Sequence, residues 1–170
     1  MANADMEDMA ARFAGRAVSS VFLYTREAHP AENYRHHTSM DGKRANARAF
    51  RVNEGVKRRI LLDDLEGTCH KAYGLMPNMT YIIGRGGLLL YKAGWTDHQE
   101  VEKALNYHLE NLPRRAKEML QAVYTEGVLW RAPGQAEFMK GLERNGPQAV
   151  KDMMASMKHM PPPQPEPEDD

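Results

Sequence analysis

The 170-residue chain has one cysteine, no excess of charge and no long apolar run, and each shortage removes a class of function. The single cysteine, Cys69, excludes an intrachain disulfide, a Cys-x-x-Cys redox pair and a zinc site built from several thiolates. Lys and Arg number 23 and Asp and Glu 23, so the formal net charge is zero, and the sequence pI is near 7.1. Nucleic acids and acidic membrane surfaces are held mainly by surplus Lys and Arg, so neither is an expected partner. No apolar run approaches the roughly 20 residues of a membrane span. The N-terminal stretch Met1-Ala-Asn-Ala-Asp-Met-Glu-Asp8 lacks the basic and apolar regions of a secretory signal. Sparse cysteine suits a reducing compartment, and the expectation is a soluble cytoplasmic protein.

What is present is a regular alternation of element types. Met6, Met9, Ala10 and Phe13 share one helix face, and Gly15 supplies a stop. Val18 to Tyr24 is short, apolar and rich in β-branched and aromatic residues, as buried strands are. A polar stretch to Met40 precedes a second helix marked by Ala45, Ala49 and Val52 and ended by Gly55. Ile60 to Leu62, running into Asp63 and Asp64, forms a second strand, and Thr68 to Tyr73 a short helix closed by Gly74. Met79 to Ile83 and Leu88 to Lys92, joined by Gly84-Arg-Gly-Gly87, predict a hairpin. Thr96 or Asp97 caps a helix whose apolar stripe is Val101, Ala104, Leu105, His108, Leu109 and Leu112. Helices interleaved with strands and finished by a hairpin indicate an α/β layer fold.

From Pro113 onward the pattern is helical only. Ala116, Met119, Leu120, Val123 and Tyr124 share one face, Phe138, Met139 and Leu142 a second, and Val150, Met153, Met154 and Met157 a third. The tail Pro161-Pro-Pro-Gln-Pro-Glu-Pro-Glu-Asp-Asp170 has no apolar side chain to bury and is expected to be disordered. The expected organisation is therefore a domain over residues 1–112, a helical extension over 113–160 and an acidic, proline-rich tail over 161–170.

Three segments together resemble the iodothyronine deiodinase branch of the thioredoxin-like superfamily: Phe22-Leu-Tyr-Thr-Arg-Glu-Ala-His-Pro30, Ala72-Tyr-Gly-Leu-Met-Pro-Asn78, and Tyr81-Ile-Ile83 with Leu90-Tyr-Lys92. Glu-Ala-His-Pro directly after an apolar strand is the most specific of them, and the resemblance covers residues 6 to 110. It implies a thioredoxin-like sheet, truncated at the N-terminus, with flanking helices and a C-terminal helical extension. In that family the redox nucleophile, selenocysteine or cysteine, sits at the N-terminus of the first core helix, where the helix field stabilises a thiolate or selenolate. Counting back from His29 places that position at or before Met1. The strand that precedes this helix in the family is central, between the strands matching Val18 to Tyr24 and Met79 to Ile83, and it too falls off the front of the chain. The gap closes if those two strands pair directly, if another chain donates a strand, or if Gly127-Val-Leu-Trp130 folds back; a natural start upstream of Met1 would restore both strand and nucleophile.

The residues that bear chemistry follow. Cys69, Glu27 and His29 are the catalytic candidates. Cys69 has His70 as its sequence neighbour, and adjacent helical residues diverge, so His70 is poorly placed to activate the thiol. The resemblance makes Glu27, His29, Tyr34, Met76, Pro77 and Asn78 pocket candidates, and it implies a cis peptide bond at Met76-Pro77. His29, His36, His37 and His70, with Asp63 and Asp64, match no established ligand spacing, so neither a metal nor a cofactor is expected. Gly84-Arg-Gly-Gly87 is no phosphate loop, since it sits inside a hairpin without a following Lys-Ser/Thr. Met153, Met154, Met157 and Met160, on one short helix in a chain with 12 methionines, are the partner-contact candidates, because flexible thioethers suit adaptable apolar contacts. The expected function is a non-catalytic binding or structural subunit of a homo-oligomer or larger complex. The alternative is a thiol-dependent oxidoreductase of deiodinase or peroxiredoxin type, using Cys69 or a nucleophile from a partner chain.

Overall fold

The computed structural model describes residues 3–120 and 135–158. Among them are six α-helices and two separate two-stranded sheets, a mixed α/β architecture. The order is α1 (Asn3–Ala14), β1 (Val21–Tyr24), α2 (Met40–Asn53), β2 (Arg59–Leu62), α3 (Thr68–Tyr73), β3 (Thr80–Ile83), β4 (Leu89–Ala93), α4 (His98–Lys117), α5 (Gln135–Asn145) and α6 (Pro147–Met157). A 3₁₀ turn at Arg85–Gly87 joins β3 to β4. β1 pairs in parallel with β2, from Val21 opposite Arg59 to Tyr24 opposite Leu62. β3 pairs antiparallel with β4, with an irregularity between Ile82 and Ile83. The chain forms two compact units, one from residues 3–26 and 37–120, the other from residues 27–36 and 135–158.

In the first unit the core grows from the α1 stripe. Met6, Met9 and Phe13 are buried against Val101 and Leu105 of α4, and Val18, Ile82, Tyr91 and Leu109 pack around them. Each such side chain, fully buried, contributes about 1.5–3 kcal/mol. The helix pair is tied at its surface by a two-pronged contact of Arg12 with Glu102 and by Arg16 Nη1 on Asn106 Oδ1 at 2.7 Å. Glu7, on the same helix, reaches the start of β2. Its carboxylate accepts the Lys57 and Arg58 amides at 2.9 and 3.1 Å and the Arg58 Nε at 2.6 Å.

α2 begins at Met40, because the Ser39 hydroxyl caps it by accepting the Gly42 amide at 3.1 Å. Its Phe50 ring stacks on β1, 4.9 Å from Phe22 and 5.9 Å from Tyr24, and Ala47 is buried beside it. Asp97 is the cap of α4, with its carboxylate on the Glu100 amide. That helix runs across the boundary read at residues 112 and 113, with Pro113 inside it, and ends at Lys117. Met119 then turns into the left-handed region at φ 51°, past the end of α4. Val123, Tyr124, Gly127 to Trp130, Met160 and the acidic tail lie outside the described residues.

Two further expectations are corrected. No peptide bond among the described residues is cis, so Met76-Pro77 is trans. The approach to Pro77 is set instead by Leu75 at φ 65° and by the Met76 carbonyl, which accepts a hydrogen bond from His70. β1 and β3 do not pair directly, and no strand lies among residues 3–17, so each of these strands keeps one edge without a ladder among the described residues.

The second unit is the helix pair α5 and α6 with the segment 27–36 laid on it. Gly146 joins the helices at φ 124°, a conformation that a side chain rarely adopts. The segment 27–36 supplies what this tight junction lacks. Asn33 donates its amide and its Nδ2 to the carbonyls of Asn145 and Arg144 at 3.1 and 2.9 Å, groups left open at the end of α5. Glu32 accepts the Gln148 amide through both oxygens at 3.2 Å, capping α6 where its own Gly146 has no side chain.

Candidate functional site

The densest cluster of ionisable side chains lies where β2 meets α3. Asp63 is buried at the end of β2 and accepts the Cys69 amide on Oδ1 and the His70 amide on Oδ2, both at 2.9 Å. Asp64 Oδ1 accepts the Thr68 amide at 2.8 Å. The first turn of α3 is thus filled by two carboxylates of its own chain, which is why Gly67, at φ 70° and without a side chain, serves as its cap residue. Lys43 of α2 is 2% exposed and donates its Nζ to the Asp64 carbonyl at 2.8 Å. Burial lowers the Lys43 ammonium's pKa, and the charges of Asp63, Asp64 and Glu66 work against that shift. The Thr68 hydroxyl, then the Thr68 amide, hold the Asp64 carboxyl below the usual range.

Cys69 is half-buried in this cluster, and its thiol is pushed up, first by burial and then by the Asp63 and Asp64 charges. A reactive thiol needs the reverse, since the thiolate is the nucleophile. His70 is buried, with Nε2 donating to the Met76 carbonyl at 3.1 Å.

Met76, Pro77 and Asn78 are exposed on the loop from α3 to β3. The Thr96 hydroxyl donates to the Asn78 carbonyl at 3.0 Å, and Asn78 bridges Trp95. Nearby, the Tyr73 and Tyr81 rings meet edge to face at 4.8 Å, and the Tyr81 hydroxyl donates to the Tyr73 carbonyl. Burial, then Tyr73, raises the Tyr81 phenol.

Glu27, His29 and Tyr34 belong to the second unit. The His29 ring packs edge-on to Phe138 at 5.7 Å, and its carbonyl accepts Asn145 Nδ2 at 2.8 Å. The Tyr34 carbonyl accepts the Ala31 amide at 3.0 Å, closing the segment on itself. Here the Glu-Ala-His-Pro segment braces a helix pair. Met154 and Met157 stand half-exposed on α6, with Met153 more covered. Among the described residues no three His, Cys, Asp or Glu side chains gather as a metal ion requires. No helix among them is long and apolar enough to cross a membrane.

Comparison of the chain with protein-family models, with curated proteins and with solved structures finds no match. The side chains that organise these clusters, Glu32, Asn33, Lys43 and Asn145, were not singled out in the sequence. The one available signal was the bare Gly146-Pro147 helix start, which lacks a capping side chain of its own.

Proposed function

We propose that the chain is a non-catalytic binding or structural subunit with a truncated thioredoxin-like layout. It works in a homo-oligomer or a larger complex in which a strand from a second chain completes its sheet. The observation that carries this reading is the pair of separate two-stranded sheets, β1 with β2 and β3 with β4, supported by one helical layer. Val18, just before β1, and Ile82 and Tyr91 of the hairpin all pack on the same α1 and α4 core. Two-stranded sheets are marginal alone, and parallel strands are normally covered on both faces. Val21, Leu61, Ile83 and Leu89 instead stand substantially exposed.

The chemistry of Cys69 weighs against a thiol-based activity of the isolated chain. Its thiol is raised, two carboxylates stand beside it, and His70 is engaged elsewhere. The test is amide hydrogen exchange on the purified chain, concentrated and then diluted. The outward-facing amides of Val21–Tyr24 and Thr80–Ile83 should be protected in the concentrated sample and released on dilution. Exchange at open-loop rates in both samples would end the strand-donation reading.

A further inference from the structure

The zero net charge of the whole chain conceals a local excess. Between residues 43 and 59 there are seven basic residues, Lys43, Arg44, Arg48, Arg51, Lys57, Arg58 and Arg59, against the single acid Glu54. Two of the seven are spoken for, Lys43 by burial against Asp64 and Arg58 by Glu7. Three of the others converge on an open groove of about 200 Å³ between α2 and β2, lined by Arg44, Ala47, Arg48, Arg51, Ile60 and Leu62. Arg44 and Arg51 stand one turn to either side of Ala47, the buried floor residue of α2, and Ile60 and Leu62 supply the floor from β2.

We propose that this groove binds a small phosphate monoester with an apolar, aryl-like body. Among the described residues no carboxylate lines it. Arg44 is offset only by Asp41, whose side chain is 94% exposed, so the pairing is weak. Arg51 Nη2 donates to the Arg58 carbonyl at 3.0 Å, which orients the guanidinium and leaves its charge without an ion pair among the described residues. Arg48 has no hydrogen bond or ion pair among the described residues. Two guanidiniums without a counter-charge, plus one weakly offset, match a dianion better than a monocarboxylate, and forked guanidinium donors suit phosphate oxygens. The aliphatic floor has no use for a bare phosphate ion and favours a ligand that carries a ring or short chain beside the charge. The proposal is independent of how the sheet is completed.

Phenyl phosphate is the probe, titrated into the full chain at low ionic strength and followed by calorimetry and amide chemical shifts. The expected result is saturable one-site binding, with shifts centred on α2 and β2, at least about tenfold tighter than inorganic phosphate. Arg48→Ala removes a side chain that supports nothing else in the fold, and it should weaken phenyl phosphate by about tenfold or more. Arg51→Ala should do the same, with circular dichroism confirming that the helix content is kept. Arg115→Ala, on the far end of α4, should bind as the parent does. Absence of saturable binding, undiminished binding by Arg48→Ala, or equal affinity for inorganic phosphate would each overturn the proposal. A duplex oligonucleotide that binds here and is not displaced by phenyl phosphate would replace it with a polyanion surface.

Discussion

Replacing Glu7 by alanine should strongly destabilise the first unit, because it breaks a buried ion pair between α1 and the start of β2. The Glu7 and Arg58 side chains are each 8% exposed, and one carboxylate satisfies the Arg58 guanidinium and two backbone amides. Truncation leaves a buried cation and two amides without partners, a defect that costs about 3–5 kcal/mol in comparable buried pairs. For a chain of this size each kcal/mol moves the midpoint by about 2–4 °C, so the expected loss is about 6–20 °C in Tm. Glu7→Gln keeps an acceptor while losing the charge and should fall between the two. The pH dependence has a definite sign. Burial alone would raise the Glu7 carboxyl, but the Arg58 side-chain bond, the Lys57 amide and the Arg58 charge outweigh it and hold the group below its usual value. A depressed native pKa gives stability that is present above about pH 4.5 and is lost as pH falls through the native value. The assay is thermal and urea denaturation of parent and variants at pH 7 and across the acid range. A Glu7→Ala loss below about 1 kcal/mol, the range of exposed pairs, would refute the reasoning.

Other outcomes follow from the two ionic clusters and the helix pair. Cys69 should be alkylated with a pH midpoint above that of an ordinary thiol. Asp63→Asn, which keeps an acceptor for one of the two α3 amides and removes the charge, should lower that midpoint, whereas an unchanged midpoint would contradict the role of the carboxylate charge. Asn145→Ala removes the bond to the His29 carbonyl and should cost about 1 kcal/mol, read as faster exchange of the Asn33 amide with the first unit unaffected. Glu32→Ala should cost a similar amount by uncapping α6.

Much of the first unit was legible because its signals are local. The Met6, Met9 and Phe13 stripe, the apolar strand before Thr25, the glycine turn at 84–87 and the Asp97 cap all lie within a few residues of what they determine. What escaped depends on distance. Glu32 and Asn33 act on helix ends more than 110 residues away, so no sequence window contains both partners. Lys43 looks like a surface lysine of a polar helix, and only the packing of α2 against the end of β2 buries it. The boundary read at residues 112 and 113 is not visible as an end of α4, since the helix carries Pro113 inside it and continues to Lys117. The arginine groove was hidden by averaging, since 23 bases and 23 acids sum to zero while one helix face holds three bases.

The proposed subunit role stands or falls with association. Sedimentation velocity of the purified full chain over a wide concentration range is the most direct measurement. It should show a species heavier than the 19.3 kDa chain that dissociates on dilution. A single 19.3 kDa species at every concentration, with the outward-facing amides of β1 and β3 exchanging at open-loop rates, would contradict it.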